Sequence, residues 1–275
     1  MRSISKRWVA RIGAVALVAT GVGVVAATPA QAFVPFTSSM TVGPGATESF
    51  TKSCGSRDVV TSGGALATTP LVLVWESYPS SNHDWTVTAT NTSNFTETIL
   101  IRVVCAVGSL ASYEIQPTFA NPATGTVGTP VAGCQGGRTA MGGGWKLANA
   151  NFRLIASRPT GSSNQWQVLA RNNNNGAAGM FAYATCVGNI GARHLELLPS
   201  VTVAPGASTS FLQRCSGVRF NSGGGFSVGD TFGVNLVTAS LPIFDVSTSA
   251  DEWKFNIRNF DTMSHTVDVG LVCYD

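Results

Sequence analysis

The stretch Trp85-Thr86-Val87-Thr88-Ala89-Thr90-Asn91, followed fourteen residues later by Cys105, is the reading on which the fold turns. It recurs as Trp166-Gln167-Val168-Leu169-Ala170-Arg171-Asn172 before Cys186, and as Trp253-Lys254-Phe255-Asn256-Ile257-Arg258-Asn259 before Cys273. From tryptophan to cysteine is 20 residues in all three copies. Within each copy, side chains alternate with period two, the signature of a β-strand with one buried face. Trp85, Val87 and Ala89 form one stripe, matched by Trp166, Val168 and Ala170 and by Trp253, Phe255 and Ile257. The strands leading to the cysteines carry Ile99, Ile101 and Val103, then Met180, Ala182 and Ala184, then Val267, Val269 and Leu271. The invariant spacing predicts that each pair of strands forms a hairpin with its register set by the turn.

Working outward, each copy opens on a cysteine (Cys54, Cys134, Cys215) and then shows Gly63-Gly64, Gly142-Gly143-Gly144 or Gly223-Gly224-Gly225. A Ser-x-Pro follows at Ser77-Tyr78-Pro79, Ser157-Arg158-Pro159 and Ser240-Leu241-Pro242. The glycines predict a bulge or a close backbone approach. Each recurring asparagine fits a turn, its side chain capping the backbone two residues on. From the serine to the tryptophan the distance runs 8, 9 and 13, which marks a loop tolerant of insertion.

The expected architecture is all-β. Three tandem antiparallel modules of roughly 80 residues, small and sandwich-like with about five short strands each, occupy 33–112, 113–192 and 193–275. Modules of this size bury too little surface alone, so a bridge worth about 4 kcal/mol and packing between neighbours are both expected. The economical pairing is 54–105, 134–186 and 215–273; the rival joins neighbouring copies as 105–134 and 186–215, closed by 54–273. Short linkers such as Gly188-Asn189-Ile190-Gly191 suggest pseudo-threefold packing, with the loops Ser80–Asp84, Thr160–Gln165 and Ile243–Glu252 gathered into one asymmetric surface.

Residues 1–32 read as a secretory signal: Arg2, Lys6, Arg7 and Arg11, an apolar run from Ile12 to Ala27, and a small-x-small end at Ala30-Gln31-Ala32. The protein is therefore expected outside the cell, beginning at Phe33 with no membrane span after cleavage. Removing the signal takes four of the 17 basic residues and none of the 14 acidic ones, so the apparent basicity disappears. No Lys/Arg cluster remains to hold nucleic acid.

No catalytic motif emerges. His83, His194 and His265 stand at non-equivalent positions, no serine lies in a nucleophile elbow, and the six cysteines are consumed by bridges. Neither a metal-ligand spacing nor a phosphate loop is present, so no cofactor is expected. The repeated tryptophans head inward stripes and read as core. Trp75, Tyr78 and Trp145 recur in no set and are the candidates for an exposed ligand surface.

The order Cys, Gly-Gly, Ser-x-Pro, Trp-x-Val-x-Ala-x-Asn, Val-x-Cys resembles tandem-repeat proteins exported by actinobacteria, mostly of unassigned function, over residues 38–275. The resemblance transfers no catalytic or binding residue; multiplicity, through the avidity of three weak equivalent sites, supports the expectation of a secreted, non-catalytic protein of the surface or matrix that binds glycan, a protein partner or itself. The alternative is a secreted hydrolase or enzyme inhibitor with one site at a junction between modules.

Overall fold

The computed structural model describes residues 33–108, 110, 112–188, 192–197, 199–217, 219–229, 235–245 and 250–275. The expected signal and its cleavage point lie outside them. All regular structure among the described residues is β-strand. The first cysteine segment comprises β1 (Phe33–Val42), β2 (Thr47–Ser53), β3 (Val59–Ala67), β4 (Val72–Pro79), β5 (Asp84–Asn91) and β6 (Glu97–Ala106). The second holds β7 (Glu114–Ala120), β8 (Val127–Gly128), β9 (Val131–Gly133), β10 (Thr139–Leu147), β11 (Phe152–Pro159), β12 (Gln165–Asn172) and β13 (Met180–Val187). The third holds β14 (Arg193–Leu197), β15 (Val201–Val203), β16 (Ser208–Arg214), β17 (Phe220–Val228), β18 (Asn235–Asp245), β19 (Ala250–Asn259) and β20 (His265–Tyr274). Each segment thus has at least six strands where five were expected.

The disulfides are Cys54–Cys105, Cys134–Cys186 and Cys215–Cys273, one within each segment, which excludes the ring scheme. The predicted inward stripes are buried as read: Trp85, Val87, Ala89, Ile99, Ile101 and Val103 are all solvent-inaccessible, and their counterparts in the other segments nearly so.

The expected hairpin is absent. β5 pairs with β4 and β2, whereas β6 pairs with β1 and β3 in another sheet. Residues 92–96 are an arch crossing between two layers, and the two stripes face each other through the core. Two bonds from one asparagine hold the span. Asn91 Nδ2 donates to Val42 O (2.9 Å) at the end of β1 and to Phe95 O (2.6 Å) in the arch. Asn172 does the same to Pro122 O and Gly176 O, and Asn259 to Val203 O and Met263 O. Each asparagine Oδ1 also accepts from the backbone N–H two residues on, which is the expected cap. The constant length therefore comes from this tie and from the disulfide closing the far end of the strand.

The glycines serve the tryptophans. A Cβ on Gly63, Gly143 or Gly224 would lie 2.6, 2.3 or 2.4 Å from the indole of Trp85, Trp166 or Trp253. Each indole N–H then donates to the serine of the Ser-x-Pro, at 3.0 Å to Ser77, 3.0 Å to Ser157 and 3.1 Å to Ser240. A large side chain is thereby buried with its polar handle satisfied. Register slips beside these glycines, between Val60/Ser62, Ala140/Gly142 and Asn221/Gly223, are the predicted bulges.

The sheets do not stop at segment ends. Their orders are β1-β6-β3-β18-β19-β16, β2-β5-β4-β10-β13-β7 and β14-β20-β17-β11-β12-β8. The first two join three strands of one segment to three of another, and the third, in which β15 also pairs with β20 and β9 with β12, joins four to four. The short ladders between segments are β3 to β18, β10 to β4 and β17 to β11. Side chains reinforce these seams from within. Thr185 Oγ1 donates to Thr61 O (2.6 Å) and Ser222 Oγ to Met141 O (2.8 Å). Gln31–Asp275 accordingly forms one compact unit. No helix among the described residues is long and apolar enough to cross a membrane.

The insertion in the third copy was expected to enlarge a loop. Part of it instead lengthens strands, since Ile243–Asp245 pairs with Ala250–Glu252. Residues 246–249 lie outside the described part.

Candidate binding face

At the seam of β4 and β10, Trp145 pairs with Ser77 and Lys146 with Glu76. Because neighbouring residues on a strand point to opposite sides, this register sends Trp145 inward and Lys146 outward. The three candidates from the sequence are consequently separated. Trp145 is only 7% exposed, packs edge-on against Phe226 (centroids 6.3 Å apart) and belongs to the core. It offers no face to a ligand, which corrects the expectation. Trp75 occupies the bulge between Val74 and Glu76, half-buried, with its indole N–H donating to Thr90 Oγ1 at 3.2 Å. Tyr78 is half-buried on the outer face.

Around Tyr78 the structure assembles residues that the sequence reading passed over. Its ring stacks on Tyr183 of β13, centroids 4.9 Å apart and planes at 26°. The contact skips a strand: β10 runs between them, and Gly144 presents no side chain there. A Cβ on Gly144 would lie 2.2 Å from Ser77 O and 2.8 Å from Tyr78 Cα, so no larger residue fits. Tyr183 continues to Phe181 (6.1 Å), and Phe181 to Phe119 on β7 (4.9 Å). Phe119 is 56% exposed. Four rings from three strands thus form one chain across the outside of the sheet.

A polar group sits at one end. Lys146 Nζ donates to Tyr78 OH (3.2 Å), lies 5.0 Å over the Tyr78 ring and is 3.5 Å from Glu76 Oε1. Burial pulls the ammonium down, but the Tyr78 bond and the Glu76 charge outweigh it and leave its pKa above the ordinary lysine value. Burial foremost, with Tyr78 beside it, raises the Tyr183 hydroxyl, which stays protonated and able to donate. Glu76 is buried and also accepts from Thr88. Beyond Thr88 the outer face continues as hydroxyl pairs: Thr47 with Thr90 (2.7 Å), Ser49 with Thr88 (3.0 Å), Thr51 with Thr86 (2.8 Å).

The sequence held a signal for these rings. In Met180-Phe181-Ala182-Tyr183-Ala184 the outward positions are aromatic, where the first copy has Leu100 and Arg102 and the third has Asp268 and Gly270. A search confined to recurring residues cannot see a feature present once.

The three histidines are tied up locally. His83 Nδ1 meets Asp58 O (2.6 Å), His194 Nε2 meets Asp275 (2.9 Å) and His265 Nε2 meets Asp261 (2.6 Å). Among the described residues no three His, Cys, Asp or Glu side chains gather as a metal would require.

Comparison with known families gives one match. Residues 31–105, a little over a quarter of the chain, are similar to the family described as YjdH. The matched span runs from just before β1 to the cysteine that closes the first disulfide. It ends before β10 and β13, so it holds Tyr78 and Glu76 of the aromatic face but not Lys146, Phe181 or Tyr183. No curated protein matches the chain.

Proposed function

We propose that the protein is an exported, non-catalytic binding protein whose aromatic face holds cell-wall or extracellular glycan. The observation that carries this reading is the run of rings Tyr78, Tyr183, Phe181 and Phe119 along the outside of one sheet. A pyranose ring has an apolar C–H face that packs on aromatic rings and a rim of hydroxyls that must exchange hydrogen bonds with the protein. The face supplies both, with rings on β4, β13 and β7 and hydroxyl or charged partners on β5, β4 and β10.

Export is supported by the tripartite leader and by three disulfides, which persist in oxidising compartments. The recurring Trp–Ser and Asn–backbone bonds support reading the chain as one module in triplicate around a pseudo-threefold axis. On that reading the aromatic face belongs to one seam of three and is a single asymmetric site.

Pull-down on insoluble peptidoglycan, chitin and cellulose tests the reading. Retention on at least one of them is expected, and Tyr183→Ala and Phe119→Ala should each release the protein while it stays folded. Retention unaffected by both substitutions, or none on any polymer, overturns it.

A further inference from the structure

We propose that the outer face of the β11–β17–β20 seam carries a second site, a pocket that binds the carboxylate end of an aliphatic amino acid residue. The argument starts from strand register. Ser157 pairs with Phe226 and Ala156 with Ser227 at this seam, as Ser77 pairs with Trp145 and Glu76 with Lys146 at the aromatic one. Gly225 then lies under Arg158 as Gly144 lies under Tyr78: a Cβ on it would come 2.5 Å from Arg158 Cα. On the next strand the partner of Gly144 is Tyr183, whereas the partner of Gly225 is Gly270. The stacked pair of tyrosines is thus replaced by an arginine and a bare backbone.

The missing ring leaves a cavity of about 250 Å³, walled by Arg158, Gln167, Leu195, Leu197 and Asp268 among others. Among the described residues no carboxylate lies within ion-pair distance of Arg158. Asp268, in contrast, is held by Ser200 Oγ at 2.6 Å. Leu197 is 74% exposed at the rim.

These groups describe their ligand. A guanidinium without a partner takes a carboxylate through two parallel N–H···O bonds. Leu195 and Leu197 offer a branched aliphatic side chain an apolar wall, and the Asp268 carboxylate accepts an N–H from the ligand's far end. A carboxylate, an aliphatic body and an N–H together make the C-terminal residue of a peptide or the free amino acid. This inference is independent of the glycan reading and uses none of its residues.

The experiment is titration calorimetry of the disulfide-intact protein with L-leucine, N-acetyl-L-leucine and L-leucinamide. Binding of either acid in the micromolar to millimolar range is expected, as fits a ligand of about ten heavy atoms. Preference for leucine over its N-acetyl form marks a free amino acid as the occupant, and the reverse or equality a peptide terminus. Leucinamide should bind at least tenfold more weakly. Arg158→Gln should weaken the acid at least tenfold. Gly270→Tyr should abolish binding by restoring the ring of the other seam, and it has room for the first atom of the side chain: a Cβ there meets Leu197 Cδ2 at 3.4 Å, Leu195 Cδ1 at 3.7 Å and Glu196 O at 3.9 Å, all ordinary van der Waals contacts. Should the tyrosine variant not fold, Arg158→Gln with leucinamide as control decides alone. No binding of either acid, equal binding of leucinamide, or undiminished binding by Arg158→Gln or by folded Gly270→Tyr overturns the proposal.

Discussion

The seam where β4 meets β10 and the seam where β11 meets β17 have the same strand pairing and opposite exteriors. Both pass a glycine beneath the residue before the proline of a Ser-x-Pro, Gly144 under Tyr78 and Gly225 under Arg158. In the first, Tyr183 fills the space above the glycine and starts a chain of rings; in the second, Gly270 carries no ring and a pocket edged by Leu195 and Leu197 stands there. Interior contacts are duplicated while surface contacts are not. The core must satisfy the same indole, asparagine and disulfide wherever they recur, whereas an outward strand position is constrained only by its few cross-strand neighbours. Duplicated scaffolding with unlike faces is how one fold can carry different sites.

The comparison predicts its own largest effect. Gly144→Ala and Gly225→Ala place a Cβ against backbone, 2.2 Å from Ser77 O and 2.6 Å from Ser157 O, where nothing can rotate away. Each should cost about 3 kcal/mol of stability in thermal or denaturant unfolding. Gly270→Ala should be neutral or stabilise by up to about 0.5 kcal/mol, because the neighbours leave room and alanine loses less backbone entropy. Equal costs at all three positions would break the claim that the two seams differ in the space above the glycine rather than in the seam itself.

A middle-sized effect is expected from Tyr183→Gly, which turns the aromatic face into the open kind. It removes the contacts with Tyr78 and Phe181 and places a glycine within a strand, for a loss of about 2 kcal/mol. A stability change near zero would show that the rings lie on the sheet without supporting it.

The smallest effect concerns charge at the rim of the glycine-bearing sheet. Hydrogen bonds from His194 and Arg219 hold the Asp275 carboxyl below its ordinary value. Burial works against Glu196, yet its bonds from Ser216 and Arg219 prevail and lower its pKa as well. A carboxylate depressed in the folded state stabilises the fold above its unfolded pKa, near 4, and that contribution fades as pH falls through the folded value. Tm should therefore hold level from about pH 7 to 5 and drop below about 4, with Asp275→Asn shrinking the drop. The pairs are exposed, so a shift of a few degrees is expected.

How much of this was legible in the sequence depends on how far each contact reaches. Inward stripes, the asparagine caps, the bulges and the disulfide partners could all be read, because each follows from period-two alternation or from spacing inside one segment. The candidate face was read only in part. Tyr78 was found as a non-recurring aromatic and Trp145 was misplaced beside it, since both lie near loops and composition does not say which side of a strand a residue faces.

Taken alone, the sequence determined an all-β chain in three disulfide-closed segments with a tryptophan at the heart of each, because those features rest on local periodicity. Only the tertiary structure decided that the Trp and Cys strands are joined by an arch instead of a hairpin, that each sheet is shared between two segments, and which rings meet. At each seam the sharing rests on two residue pairs far apart in the chain, such as Trp145 with Ser77 and Lys146 with Glu76. No periodicity encodes a pairing that short, so it settles only when the buried faces of whole segments pack together.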